Sequence, residues 1–235
     1  MPKSIRVISG GPAQGLLKQL QGRFAAERGF AIRGTFGATG AMQDKLVGGE
    51  ACDVIILPQT SVNELAADGH VVASSLIPLG VVRTGIAVKA GELLPDVGTL
   101  EALKQALLAA KGINIPDPVR STAGIHFMQV LKSFGIEAEL ASRLHPYPNG
   151  ASAMRDLAQF PEEGLIGWTH VTQILHTPGV QLAGLIPAEL DLTTVYIAAV
   201  CTKAQEPAAA GQLVQMLAGA DAAPVRSASG FEPAV

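Results

Sequence analysis

Short apolar segments alternate with amphipathic segments along most of this sequence, and the alternation restricts its fold more than any other feature. The segment "IRVISGG" (residues 5–11) is an apolar strand pattern that ends at a glycine pair, and apolar side chains then recur at helical spacing. The same order returns in "FAIRGTFG", "AMQDKLVGG", "CDVIILP" and "SVNELAADG". Strands that alternate with helices at this spacing predict right-handed βαβ units.

The alternation starts again after residue 90, with "TLEALKQALLAA", "GINIPDP", "AGIHFMQVLKSFG" and "GLIGWTH". The strand "LGVVRTGIAVKAG" stands between the two series, and the last strand, "TTVYIAAVC", can return to the first. We therefore expect an α/β protein of two Rossmann-like lobes, with mixed, mostly parallel sheets joined by crossing hinge strands. Residues 1–82 plus about 194–235 would form lobe 1 and residues 83–193 lobe 2, with a ligand cleft between them built from the loops after the strands.

Composition and charge exclude several classes of function. Hydrophobic residues make up 48% of the chain, so it can bury a sizeable core. The 17 basic and 20 acidic residues give a net charge of −3 without a basic run, which argues against nucleic acid as a partner. No apolar stretch reaches the roughly 20 residues that span a bilayer, so no membrane insertion is expected.

Motifs for metals, cofactors and common hydrolases are absent from the sequence. The cysteines, Cys52 and Cys201, are not in a CxxC or a Cys/His cluster, so we expect free thiols and no metal. "SGGPAQG" does not satisfy G-x-G-x-x-G, and there is no P-loop or G-x-S-x-G elbow. No cofactor is expected.

The N-terminus, "MPKSIRVIS", enters a strand pattern almost at once and shows no secretory signal. This predicts a cytoplasmic location, or a periplasmic one if a signal peptide has been removed.

Four loops that precede helices are rich in small residues: "SGGPAQG", "GATG", "DPVRSTAG" and "PNGASA". Backbone N–H groups at a helix N-terminus bind anions, and small residues let an oxyanion approach the backbone. The alternative for each loop is an ordinary helix N-cap, because Ser, Thr and Asn also cap helices that bind nothing. The candidate ligand-binding residues of these loops are Ser9, Gly10, Gly11, Ala38, Thr39, Ser121, Thr122, Asn149, Gly150 and Ala151.

Histidines and arginines supply the candidate charged and proton-transferring groups. His170 follows "IGWT" at the carboxyl end of a predicted strand and is the candidate base, while His126 lies on the helix after "DPVRSTAG" and His145 in the predicted loop "RLHPYPNG". Arg120 lies among small residues in an anion-type loop, and Arg83 interrupts an apolar crossing strand. A guanidinium can hold a carboxylate through two parallel hydrogen bonds.

Two segments carry a resemblance to a known family. "FGATGAMQDKLVGGEACDVIIL" resembles the "SSGAL…I…GAPADVF" segment of periplasmic molybdate-binding proteins, and "DPVRSTAGIHFMQVLKSFGI" resembles their DP-x-x-x-P-AG-x-YA-x-x-x-L-x-x-LG helix entry. "GLIGWTH", "TTVYIAAVC" and "GFEP" follow in the order of that family. The resemblance implies a type II periplasmic-binding-protein fold that closes on a small anion.

The departures from that family favour a carboxylate ligand. The family's serine pair is "AT" at residues 38–39, its tyrosine falls on His170, and Arg120 stands in a loop that is neutral in molybdate binders. The resemblance thus leaves three functions open. One is an enzyme similar to aconitate isomerase, which would move a proton between carbons of a di- or tricarboxylate. The second is a solute-binding protein that delivers an oxyanion to an ABC transporter permease, and the third is a cytoplasmic ligand sensor.

Overall fold

The computed structural model describes residues 3–234 and divides the chain into two compact units. Unit 1 comprises Met1–Val82 and Thr194–Val235, and unit 2 comprises Arg83–Thr193. The chain therefore passes from one unit to the other twice.

Strands and helices alternate along the chain. The strands are β1 (Ser4–Gly10), β2 (Ala31–Gly37), β3 (Val54–Pro58), β4 (Ile77–Val82), β5 (Thr84–Lys89), β6 (Gly112–Pro116), β7 (Leu144–Tyr147), β8 (Leu165–His170), β9 (Val180–Leu185), β10 (Thr194–Val200) and β11 (Phe231–Glu232). The α-helices are α1 (Gln14–Arg28), α2 (Thr39–Val47), α3 (Gln59–Ala67), α4 (Leu100–Ala109), α5 (Thr122–Phe134), α6 (Glu137–Leu140), α7 (Gly150–Gln159), α8 (Val171–Leu175), α9 (Pro207–Ala218) and α10 (Ala223–Ala228). Short 3-10 turns occur at Gly11–Ala13, Ala73–Ser75, Ala141–Arg143, Ala188–Leu190 and Ala220–Ala222.

Unit 1 is built on a six-stranded sheet with the order β11-β4-β10-β3-β1-β2. β1 pairs in parallel with β2 and β3, whereas β10 is antiparallel to β3 and β4. Successive residues of a strand point to opposite faces of the sheet. Val7 accordingly packs in the cluster with α1 and α9, while Ile8 packs in the cluster with α2 and α3.

Unit 2 is built on a five-stranded sheet with the order β7-β6-β8-β5-β9. β6 pairs in parallel with β7 and β8, and β5 is antiparallel to β8 and β9. Trp168 on one face of β8 packs with Phe127 of α5, whereas Leu165 on the other face packs with Met154 of α7.

The mixed α/β fold class predicted from the sequence is confirmed. The antiparallel share of the sheets is larger than the strand–helix alternation predicted, because β10 enters the sheet of unit 1 from a distant part of the chain and β5 runs against its neighbours. Within residues 3–234, no helix is long and apolar enough to cross a bilayer.

Candidate functional site

Three neighbouring parallel strands of unit 2, β6, β7 and β8, end at one edge of its sheet and lead into helices. β6 is flanked by β7 and β8, and Pro116 at the end of β6 is in register with Tyr147 at the end of β7. Loops lead from β6 into α5 and from β7 into α7, whereas α8 begins directly after β8. Ligands of open α/β sheets bind at the carboxyl ends of such strands, so this edge is the candidate site of unit 2.

His170 ends β8 at this edge and is buried, with 3% of its surface exposed. Trp168 lies two residues earlier on the same face, and its indole Nε1 donates to the Ala123 carbonyl at 3.0 Å, which ties the strand to the first turn of α5. The His170 ring is hydrogen-bonded to the side chain of Gln173 in α8. The ring therefore has a fixed neighbour on the helix that begins directly after it.

His126 of α5 joins His170 in this region. Its ring centroid lies 5.6 Å from that of Trp168, and it hydrogen-bonds to the backbone of Leu190. Burial lowers the pKa of His170 to about 4, with a further lowering by nearby His126. Burial also lowers the pKa of His126, against the opposing effects of the Leu190 bond and the negative charge of Asp191. Both imidazoles are therefore neutral near pH 7 and can accept protons.

Arg83 and Asp191 form an ion pair within unit 2. Arg83 connects β4 to β5, and its Nε donates to Asp191 Oδ2 at 2.9 Å; 24% and 12% of the two side chains are exposed. The Arg83 carbonyl also accepts from the N–H of Val171, the residue after His170. The crossing-strand arginine is thus bound to an acid that the sequence analysis did not select. The sequence feature that could have indicated Asp191 is its position, three residues before the strand that returns to unit 1.

Several buried polar atoms around these groups lack a hydrogen-bond partner among the described residues. They are Thr84 Oγ1, His126 Nδ1, Thr172 Oγ1 and Asp191 Oδ1. Thr84 is in register with His170, and Thr172 lies two residues after His170 in α8. A buried polar atom without a partner costs roughly 1–3 kcal/mol, so these atoms are suited to a polar ligand that satisfies them.

The loop between β6 and α5 holds Arg120, Ser121 and Thr122. Asp117 Oδ1 accepts from the N–H groups of Val119 and Arg120 at 2.8 and 2.9 Å and shapes this loop, while the Arg120 side chain is exposed. Ser121 is the N-cap residue of α5, but its hydroxyl makes no capping hydrogen bond. The N-cap alternative therefore does not account for this serine.

The loop before α7 holds Asn149, Gly150 and Ala151. Asn149 Oδ1 accepts from the N–H of Ser152 at 3.0 Å, so the N-cap alternative holds at this position. A Cβ on Gly150 would lie 2.0 Å from Thr169 Oγ1 and 2.4 Å from Gln173 Oε1. Glycine is required here because α7 begins directly against the Thr169–Gln173 hydrogen bond of 2.7 Å.

His145 lies on strand β7 and not in the loop that the sequence predicted. Its Nδ1 is 3.1 Å from Asn114 Oδ1, and its ring stacks on Phe160 with centroids 6.0 Å apart. A Cβ on Gly112, the first residue of β6, would lie 2.7 Å from the ring. The ring thus leans toward the start of β6, away from the edge where His126 and His170 lie.

Unit 1 carries its own set of small residues at the carboxyl ends of β1 and β2. Gly10 and Gly37, which end these strands, are in register, and the candidates Ser9, Gly11, Ala38 and Thr39 flank them. The Ser9 hydroxyl donates to the Gly10 carbonyl at 2.8 Å. Ala38 is the N-cap residue of α2, so this helix begins without a capping hydrogen bond from a side chain.

Tyr196 of β10 completes this edge of unit 1. A Cβ on Gly10 would lie 3.2 Å from the Tyr196 hydroxyl, which is hydrogen-bonded to Thr39. Burial raises the pKa of Tyr196, so the phenol stays neutral and can donate a hydrogen bond. Tyr196 was not among the candidates predicted from the sequence, because it lies within the predicted strand "TTVYIAAVC" and not in a loop.

The chain is similar in sequence to a curated enzyme. It is 28% identical over 242 residues to an aconitate isomerase from Pseudomonas sp., covering 98% of this chain and 88% of that protein.

Solved structures of anion-binding proteins share the fold. The periplasmic molybdate-binding protein of Azotobacter vinelandii superposes with a TM-score of 0.84 at 21% identity, covering 98% of this chain and all (100%) of that one. A sulfate-binding protein of Mycobacterium tuberculosis H37Rv superposes with a TM-score of 0.76 at 17% identity, covering 98% and 87% of the two chains. Residues 5–232 match the family described as bacterial extracellular solute-binding protein. The match spans nearly the whole chain, and the protein is therefore a member of the bacterial extracellular solute-binding protein family.

Proposed function

We propose that this protein binds a small organic anion with two or three carboxylates and isomerises it by proton transfer, as the name of its aconitate isomerase relative suggests. The observation that carries the proposal is the group of buried polar atoms at the end of β8, which combines two neutral imidazoles with the Arg83–Asp191 pair. A proton acceptor beside a guanidinium is what proton abstraction next to a carboxylate requires.

The chemistry is a shift of one proton between carbons. A base removes a proton from the CH₂ group of the tricarboxylate, the double bond moves, and a proton is returned to the former vinyl carbon. The substrate and product have the same composition, so no oxidant, reductant or cofactor is consumed. A neutral imidazole is the form that can begin this step, and both His126 and His170 are in that form near pH 7.

The arginines are proposed to hold the carboxylates. Arg83 binds Asp191 through Nε, so the terminal nitrogens of its guanidinium are proposed to donate to a carboxylate. The exposed Arg120, in the loop before α5, is proposed to hold a second carboxylate. In unit 2, neutral hydrogen bonds to anionic oxygens are proposed to come from the hydroxyls of Ser121 and Thr122 and from Gly150 and Ala151. In unit 1, the edge formed by Ser9, Gly10, Gly11, Thr39 and Tyr196 is proposed as an anion-binding edge in its own right.

The alternative is transport: a solute-binding protein that delivers molybdate, sulfate or a related oxyanion to an ABC transporter permease. The two structural relatives named for those anions support it, since they share the fold over 98% of this chain.

The family description is extracellular, so we propose the periplasm as the compartment, in place of the cytoplasmic location predicted from the sequence.

Two measurements on the wild-type protein separate these functions. Thermal unfolding is followed with molybdate, sulfate, citrate and trans-aconitate, since a ligand that binds only the folded state raises the unfolding midpoint. Proton NMR then follows trans-aconitate for conversion to the cis isomer. We expect stabilisation by the tricarboxylates and catalytic conversion. Stabilisation by molybdate or sulfate alone, without turnover, would overturn the isomerase proposal and favour the solute-binding alternative.

A further inference from the structure

We propose that His126 Nδ1 is the base of this reaction and that Asp191 is its positioning residue. This inference rests on the proposed isomerase function and deepens it, because the sequence alone pointed first to His170. It is carried by the hydrogen-bonding state of the His126 ring and by the place of Asp191 beside it.

The tautomer of His126 follows from its hydrogen bonds. The ring is hydrogen-bonded to the backbone of Leu190, and this bond raises the pKa of His126. A bond that favours the protonated imidazole is one that a ring N–H donates, so the acceptor is the Leu190 carbonyl. Nδ1 is the ring nitrogen without a partner among the described residues, so the bond to Leu190 is made by Nε2–H. In the neutral ring Nδ1 then carries the lone pair, and this nitrogen is the one able to take a proton.

Asp191 is placed to stabilise the imidazolium that forms. It follows Leu190 directly in the chain, and its negative charge acts on His126. Its Oδ2 accepts from Arg83 Nε at 2.9 Å and from Thr193 Oγ1 at 3.2 Å, whereas Oδ1 is buried without a partner in the described part of the chain. The carboxylate is thus held in place while one oxygen stays available to the site.

The titratable groups that interact with His126 come from two places. His170 of β8 lies close enough to interact electrostatically with it, and Asp191, which is paired with Arg83, comes from the segment before β10. His170 differs from His126 in that its ring is bonded to the Gln173 side chain, and burial lowers its pKa to about 4. Because the His170 ring is already bonded to Gln173, we assign it to line the site beside the reacting proton.

The test compares His126→Gln, His170→Gln and Asp191→Asn with wild type, measuring kcat and KM for trans-aconitate across pH. His126→Gln should lower kcat by at least about 100-fold, which is the lower range for loss of a general base, while trans-aconitate still raises the unfolding midpoint. His170→Gln should retain more activity than His126→Gln. The exposed His176 gives a matched control, because His176→Gln should leave kcat unchanged.

Asp191→Asn should lower kcat and move the acidic limb of the pH profile. The base works in its neutral form, so the rate rises with pH through the pKa of His126. Since Asp191 raises that pKa, its neutral replacement should shift the limb to lower pH. Asp191→Glu, which keeps the charge, should leave the limb near its wild-type position, and its far-UV circular dichroism checks the fold.

The outcomes distinguish this assignment from the function on which it rests. A wild-type protein without turnover would overturn both. An active wild type whose His126→Gln variant keeps kcat within about threefold would overturn only the assignment of the base. A loss of kcat in Asp191→Asn without movement of the acidic limb would reduce Asp191 to a structural role.

Discussion

The buried carboxylate of Asp53 in unit 1 allows a quantitative prediction about stability. Its two oxygens accept four hydrogen bonds of 2.7–2.9 Å: from the backbone N–H, Nε and one Nη of Arg6, and from the N–H of Gln205. This arrangement joins β1, the start of β3 and the loop after β10. We expect Asp53→Asn to weaken unit 1, because the amide carries no charge and directs an N–H group at donors.

The magnitude follows from the burial of the two partners. Breaking a fully buried ion pair by removing one partner costs about 3–5 kcal/mol. Asp53 is 1% exposed at its side chain but Arg6 is 24% exposed, so water can partly replace the lost partner. We therefore expect a loss of about 2–4 kcal/mol at pH 7, below the fully buried range.

The pKa of Asp53 determines how the stability difference between wild type and Asp53→Asn changes with pH. The hydrogen bonds from Arg6 and Gln205 lower the pKa of Asp53 below its ordinary value of 3.8, against the opposing effect of burial. A carboxyl whose folded pKa is lowered contributes stability above the unfolded pKa and loses it as the pH falls through the folded pKa. The stability difference between wild type and Asp53→Asn should therefore shrink as the pH is lowered from 4 toward 2.

Urea unfolding at several pH values measures this difference. Far-UV circular dichroism reports both units, whereas fluorescence of the single tryptophan, Trp168, reports unit 2. The circular dichroism transition should move to lower urea in the variant. Glu27→Gln, which breaks the exposed Arg23–Glu27 pair, is the control and should leave the transition in place. A difference below about 0.5 kcal/mol at pH 7, or one of equal size at low pH, would refute the reasoning.

Two further substitutions test the loop before α7. Gly150→Ala should destabilise unit 2 by about 1–3 kcal/mol, since its Cβ would overlap Thr169 and Gln173, and an unchanged midpoint of Trp168 fluorescence would contradict that packing. Asn149→Ala removes the cap that accepts from Ser152 N–H and should cost about 0.5–2 kcal/mol, whereas Asn149→Ser, which can also cap, should recover most of this loss in the same assay.

Patterns that depend on neighbouring residues were readable from the sequence. The strand–helix alternation predicted the α/β class, and small residues before helices marked the loops that the structure places at the carboxyl ends of the strands. These features arise from periodicity and turn chemistry, which act over a few residues.

Features that depend on long-range contacts were not readable. Asp191 meets Arg83 across 108 positions of the sequence, and Tyr196 reaches Thr39 from a strand whose pattern is simply apolar. His145 was misplaced because "RLHPYPNG" contains two prolines and a glycine, yet the edge position of β7 tolerates Pro146. Tertiary pairing decided each of these positions.

The insertion of β10 between β3 and β4 has a consequence for how the protein folds during synthesis. Unit 2 is made entirely of residues 83–193 and has all its strands before the second crossing is synthesised. The sheet of unit 1 lacks an interior strand until Val200 has left the ribosome. The edges of β3 and β4 that pair with β10 therefore remain unpaired while the intervening residues are synthesised. Such edges are prone to pair with other chains. The N-terminal segment of unit 1, residues 1–82, is thus expected to be prone to aggregation until β10 has been synthesised.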